Sequence, residues 1–156
     1  MFYNVADVVD KTIKIEEKRI VMINDLIDEN RNLPTINLLG KVFRKESFKM
    51  ISYYKDIKRE ISNCEVEEID FRTYDKISFL ITEFYNSMFI PNTKTPKEYL
   101  KHALNIAVDE LALFIDIQGR IVNNSRNTYK ITYEILSKII LRLEKQVENI
   151  DKLLKN

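Results

Sequence analysis

The chain has 156 residues, 45% of them hydrophobic and 31% charged, a balance that suits one globular domain and argues against disorder. Its 25 Lys+Arg against 24 Asp+Glu leave a net charge of +1, without the basic excess of a general nucleic-acid or anionic-membrane binder. Two glycines, three prolines, one cysteine and one histidine exclude a turn-rich β-sandwich, a glycine-rich phosphate loop, an internal disulfide, a four-cysteine metal site and any centre needing two histidines.

The opening MFYNVADVVDKTIKI places Asp7, Asp10 and Lys11 where a secretory signal needs an unbroken apolar run. No apolar run approaches the ~20 residues of a membrane span. With no signal and no disulfide framework, the expected location is the cytoplasm, with no nucleic-acid or membrane partner.

Four long stretches repeat apolar residues at steps of three and four, the signature of amphipathic helices. The first runs from about Val5 to Asn30 with the stripe Val9, Ile13, Glu16, Ile20, Ile23 and Ile27, and with Asp7 as its expected N-cap. Asn30–Pro34 breaks it, and Pro34 suits the first turn of a second helix that reaches about Asn63. That helix carries Leu39, Phe43, Glu46, Met50, Tyr53 and Ile57 on its stripe.

A crossover from Cys64 to Lys94 follows, with a helical pattern of its own over Arg72–Phe89, rich in Phe79, Phe84, Tyr85 and Phe89. The third long helix starts at Thr95-Pro96, a cap followed by an N1 proline. Its stripe is Leu100, Ala103, Ala107, Leu111, Phe114, Gln118 and Ile121. After Asn123-Asn124-Ser125 the fourth carries Leu136, Ile140, Leu143, Val147, Ile150 and Leu154. A faint internal echo joins the halves: Arg31-Asn32 precedes Ile36 as Arg126-Asn127 precedes Ile131. Short links make each helix pair an antiparallel hairpin, and one long crossover between the pairs describes a ferritin-like bundle.

Glu16 and Glu46 stand out because each falls on an apolar stripe. A buried carboxylate must be paired, protonated or bound to a cation, unless helix rotation turns it to the edge and into water. Through DVVDKTIKIEEKRI, LLGKVFRKESFKMISYYKDI, EYLKHALNIAVDELALFIDI and ILSKIILRLEKQVENIDKLL, the chain resembles the rubrerythrin-like branch of the ferritin-like di-iron carboxylate family over nearly its whole length. The resemblance implies an all-α, ferritin-like four-helix bundle spanning residues 1–156 as one domain. It also implies a di-metal site built from one Glu on each of two helices and a Glu-x-x-His on each of the other two.

Carried over by position, the resemblance gives Glu16, Glu46 and Glu144 as the remaining metal carboxylates. Lys49, Ala107 and Val147 stand at the other ligand positions. Neither family histidine is present, and His102 lies outside both motifs. Lys49 has two readings: an ammonium that neutralises Glu16 and Glu46 where the family holds metal, or a chain that reaches solvent and packs only its stem. Cys64, in an acidic loop, reads as an unreactive thiol that cannot supply a rubredoxin-like iron site.

The leading expectation is therefore a non-catalytic structural or interaction protein whose di-iron site is lost, with no catalytic residue and no cofactor. One alternative is a residual carboxylate site for iron or manganese with weak oxygen- or peroxide-directed oxidoreductase activity. Another is a helical module for a small apolar ligand. Resemblance also suggests a homodimer, with the aromatic crossover as its candidate surface.

Overall fold

The computed structural model describes residues 3–124 and 129–156, without the side chains of 123 and 124. Five helices account for the described chain: α1 (Val5–Glu29), α2 (Pro34–Ser62), α3 (Phe71–Ser87), α4 (Pro96–Asn124) and α5 (Lys130–Lys155). The protein is all-helical. None of the described helices is long and apolar enough to cross a membrane.

Local chemistry sets the helix starts. At α1 the cap is Asn4, whose Oδ1 accepts from the Ala6 amide at 2.8 Å while Asp7 Oδ2 accepts from the Asn4 amide at 2.9 Å. Asp7 is thus the third helical residue of a reciprocal capping box, one turn inside the position expected of it. Pro34 occupies the first turn of α2 as expected. Asp70 caps α3 through the Thr73 amide at 3.0 Å, and the Thr95 hydroxyl accepts from the Glu98 amide at 3.2 Å to open α4. A carboxylate from the crossover serves α5: Glu67 Oε1 accepts from the Thr132 amide at 2.9 Å, where the helix dipole favours negative charge. Ser125 and the Arg126-Asn127 pair of the internal echo lie outside the described residues.

Side-chain registers give the helix directions. Asp10 meets Lys58 and Asn24 meets Arg44, so α1 and α2 run antiparallel. Gln118 bonds Ser137 at 2.7 Å while Ala107 and Ile150 share one cluster further along, so α4 and α5 are antiparallel too. Lys138 reaches Glu60 and Arg142 reaches Met50, which sets α5 antiparallel to α2. The crossover helix α3 packs on α1 and α4, and a backbone bond from the Ile69 amide to the Tyr3 carbonyl ties the crossover to the N-terminal residues.

The interior is divided. One apolar cluster holds Val5–Ile15 of α1, Met50–Ile61 of α2, Phe114–Ile121 of α4 and Ile135–Leu143 of α5. The other holds Ile23 and Leu26, Ile36 and Phe43, Tyr99–Ala107, and Ile150. Between them, on every long helix, one turn of the inward face carries polar residues.

Candidate functional site

Helical spacing assembles that polar turn. On α1, Glu16 and Arg19 are one turn apart and share the face that carries Ile13 and Ile23. Ser47 supplies the layer from α2, Glu110 from α4 and Gln146 from α5. Glu16 and Glu110 are wholly buried and Arg19 is 7% exposed. Arg19 Nη2 donates to Glu110 Oε1 at 2.9 Å, and Nη1 lies 3.3 Å from Glu16 Oε1. One guanidinium, always charged, therefore bridges two carboxylates from different hairpins.

The electrostatics follow from burial and charge count. Burial first, and the neighbouring Glu110 carboxylate next, raise the Glu16 carboxyl to about 7, against the opposing pull of Arg19 and the Ser47 hydroxyl. Burial by itself disfavours the charged guanidinium, but Glu16 and Glu110 together hold Arg19 above its ordinary value. The fully buried Tyr54 phenol is pushed well up, by burial and then by Glu110 and Glu16. With both glutamates ionised the layer carries one negative charge in excess, which a proton on Glu16 removes.

Among the described residues several buried oxygens of the layer make no well-formed hydrogen bond, although Arg19 is ion-paired with Glu16: both of Glu16, Oε2 of Glu110, the Tyr54 hydroxyl and Oε1 of Gln146. A cavity of about 20 Å³ beside Arg19, Tyr99 and Gln146 is the size of one water molecule. It is too small to admit a substrate. The arrangement pairs charge inside the core, with one guanidinium between two carboxylates.

The structure places the expected metal ligands apart. Glu16 is in the core, but the Glu46 side chain is 52% exposed and Glu144 is on the surface. Glu46 therefore lies off the buried stripe on which its spacing had placed it. Ser47 takes the inward position one residue on, because α2 buries Ile36, Gly40, Phe43, Ser47, Met50, Tyr54, Ile57 and Ile61. Lys49 pairs at 3.3 Å with Glu46 in solvent, at 54% exposure, and does not neutralise Glu16. That role belongs to Arg19. Ala107 is buried and Val147 half-buried in the same apolar cluster. His102 is half-buried and Cys64 exposed.

A family di-metal centre does not fit these residues. Among the described residues no three His, Cys, Asp or Glu side chains come together as a metal would need, and a cation stands between the two carboxylates that do converge. Tyr53, on the expected stripe of α2, lies under the Arg142 guanidinium at 5.0 Å; its neighbour Tyr54 faces the layer.

Arg19, Glu110, Ser47 and Tyr54 were not singled out by spacing alone. The signal for Glu110 was present in a second stripe on the same helix: Ala107, Glu110, Phe114, Ile117 and Ile121 keep steps of three and four as well as the stripe through Leu111 does. Only the neighbours of α4 choose between them. Comparison of the chain with models of known families, with curated proteins and with solved structures finds no match in any of the three.

Proposed function

We propose that this chain is a non-catalytic structural or interaction protein of the ferritin-like kind, one domain in which an arginine takes the place of the metal centre. The observation that carries the reading is the Arg19 guanidinium, bonded to Glu110 at 2.9 Å and ion-paired with Glu16 at 3.3 Å at the middle of the bundle. Carboxylates converge there from α1 and α4, as ligands do in the di-metal bundles, and the charge between them belongs to the protein itself.

The architecture supports the ferritin-like part. Two antiparallel hairpins, α1–α2 and α4–α5, are joined by a long crossover, with α2 antiparallel to α5. That is the connectivity of a bundle with one long crossover rather than a simple up-down-up-down one.

The test is metal content per chain after anaerobic equilibration with Fe(II) or Mn(II) and desalting, in the native protein and in Glu16→Gln. Metal well below one per chain, and equal in the two proteins, is the expected result. Stoichiometric metal in the native protein, lost in Glu16→Gln, overturns the proposal and favours a residual carboxylate metalloprotein.

A further inference from the structure

Helices α2 and α5 belong to different hairpins and run antiparallel, and a groove of about 340 Å³ lies between them. The helix register gives its length. Arg142 meets Met50 at one end, while Val42 and Leu153 line the other, about 12 Å further along α2. The floor is apolar, with Met50 and Ile150 both buried, and the far end has open apolar walls, Val42 at 49% and Leu153 at 48% exposure. Gln146 lines both this groove and the small cavity beside Arg19, so its side chain stands between the groove and the buried ion pairs.

The cations at the Arg142 end lack anionic partners. Arg142 is half-buried. Its Nε donates to Met50 Sδ at 3.4 Å, and its guanidinium lies 5.0 Å over the Tyr53 ring. Those two contacts hold the plane of the guanidinium and leave both terminal nitrogens unbonded among the described residues. Lys145 follows one turn along α5 in the same groove, and it makes no ion pair among the described residues. Glu46 and Lys49, the other charges of the groove, pair with each other at 3.3 Å. Where the buried Arg19 has two carboxylates, Arg142 has none.

We propose that this groove binds a small carboxylate with an apolar tail, the carboxylate on Arg142 and Lys145 and the tail over Met50 and Ile150 toward Val42 and Leu153. The two free terminal nitrogens of an arginine match the two oxygens of a carboxylate. The size agrees. At roughly 30 Å³ for a water-sized group, the groove holds about ten non-hydrogen atoms, and its volume falls at the small end of the roughly 300–1,000 Å³ usual for ligand pockets.

Other occupants suit the groove less well. A wholly apolar molecule leaves both cations unpaired. A phosphate monoester brings a second negative charge toward the Glu46 carboxylate at the rim, which repels it. The proposal goes beyond the structural or interaction reading given above and does not rest on it: the groove lies outside the Arg19 layer, so metal content and carboxylate binding are decided by separate measurements.

The experiment is isothermal titration calorimetry of the full chain with octanoate, 1-octanol and octyl phosphate, each kept below its micelle-forming concentration. The native protein is compared with Arg142→Gln, Lys145→Gln, Val42→Glu and, as a control outside the groove, Lys152→Gln. Octanoate is expected to bind the native protein and Lys152→Gln once per chain, with a Kd of about 0.1–1 mM. Arg142→Gln should weaken it about tenfold or more, as loss of a charge-assisted hydrogen bond does. Val42→Glu, which sets a carboxylate on the apolar wall, should weaken it as much, and Lys145→Gln about threefold. Octanol and octyl phosphate should both bind several-fold more weakly than octanoate. If Arg142→Gln loses the helical circular-dichroism signal, Val42→Glu decides alone, since its site is an exposed wall. Absence of octanoate binding, more than one octanoate per chain, or undiminished binding in folded Arg142→Gln or in Val42→Glu would overturn the proposal. Octanol binding as tightly as octanoate would overturn it in favour of an apolar ligand, and tighter octyl phosphate in favour of a phosphate.

Discussion

Replacing Arg19 with methionine removes the cation that pairs with two wholly buried carboxylates while nearly conserving side-chain volume. Glu110 loses its 2.9 Å charge-assisted bond and Glu16 its 3.3 Å partner, and neither can turn to water. Deleting one member of a buried ion pair costs about 3–5 kcal/mol, because the remaining charge stays desolvated. At about 2–4 °C per kcal/mol for a chain of this size, the thermal midpoint should fall by roughly 10 °C or more at pH 7.5. The loss should shrink at pH 5, where a proton neutralises the Glu16 carboxyl, which burial raises. Thermal unfolding followed by circular dichroism at the two pH values reads both effects. A midpoint within about 2 °C of native at pH 7.5, on the same scale, would refute the reasoning. The companion variant Glu16→Leu/Arg19→Met/Glu110→Leu separates lost pairing from lost shape. It removes all three charges together and should recover most of the stability, since apolar replacement of a whole buried ion group is often neutral or stabilising by about 1–4 kcal/mol.

Three further expectations follow from the same geometry. Glu16 has its folded-state carboxyl raised from 4.5 to about 7, so the folded chain binds the proton more tightly than the unfolded one. Its contribution is full below the unfolded value and is lost as pH rises through the folded one, by roughly 3 kcal/mol in all; urea titrations from pH 4.5 to 8 should show this fall in the native protein relative to Glu16→Gln, and parallel profiles would contradict it. Lys49→Met should change stability by less than about 0.5 kcal/mol, because an exposed pair contributes little; a loss of several kcal/mol in a denaturant titration would place Lys49 in the core after all. Asn4→Ala should cost about 1 kcal/mol by opening the capping box of α1, measurable as a lowered denaturant midpoint, whereas an unchanged midpoint would show that the first turn is held by the Tyr3–Ile69 bridge instead.

Much of the fold was legible in the sequence because it depends on local chemistry. Pro34, Pro96 and the Thr95 cap mark helix starts wherever the helices pack. The apolar periodicity gave the long helices and the crossover helix, and short links against one long one gave the hairpin pairing. Asp7 was misplaced by one turn for an equally local reason: both Asn4 and Asp7 are cap-forming residues, and only the reciprocal bond tells the cap from its partner.

The site was less legible, since it depends on which of two adjacent stripes faces inward. In α2 both stripes share Phe43, Met50 and Ile57, and differ in Glu46 against Ser47 and Tyr53 against Tyr54. One residue rotates a side chain by about 100° around the helix, enough to exchange a buried glutamate for a solvated one. In α1 the same ambiguity lay between Ile20 and Arg19, and hydrophobicity favours the wrong one because a buried arginine is expensive unless paired.

The sequence by itself determined that the chain is helical, where its long helices begin, that positions 16 and 46 each put a carboxylate on an apolar stripe, and that a two-histidine centre cannot form. The tertiary structure alone decided that Glu16 is the buried one and what it meets. Arg19 and Glu110 are 91 residues apart, and either is an ordinary surface residue until packing removes water from both. Burial turns their attraction from a weak solvated one into a requirement, because neither charge can then turn to water.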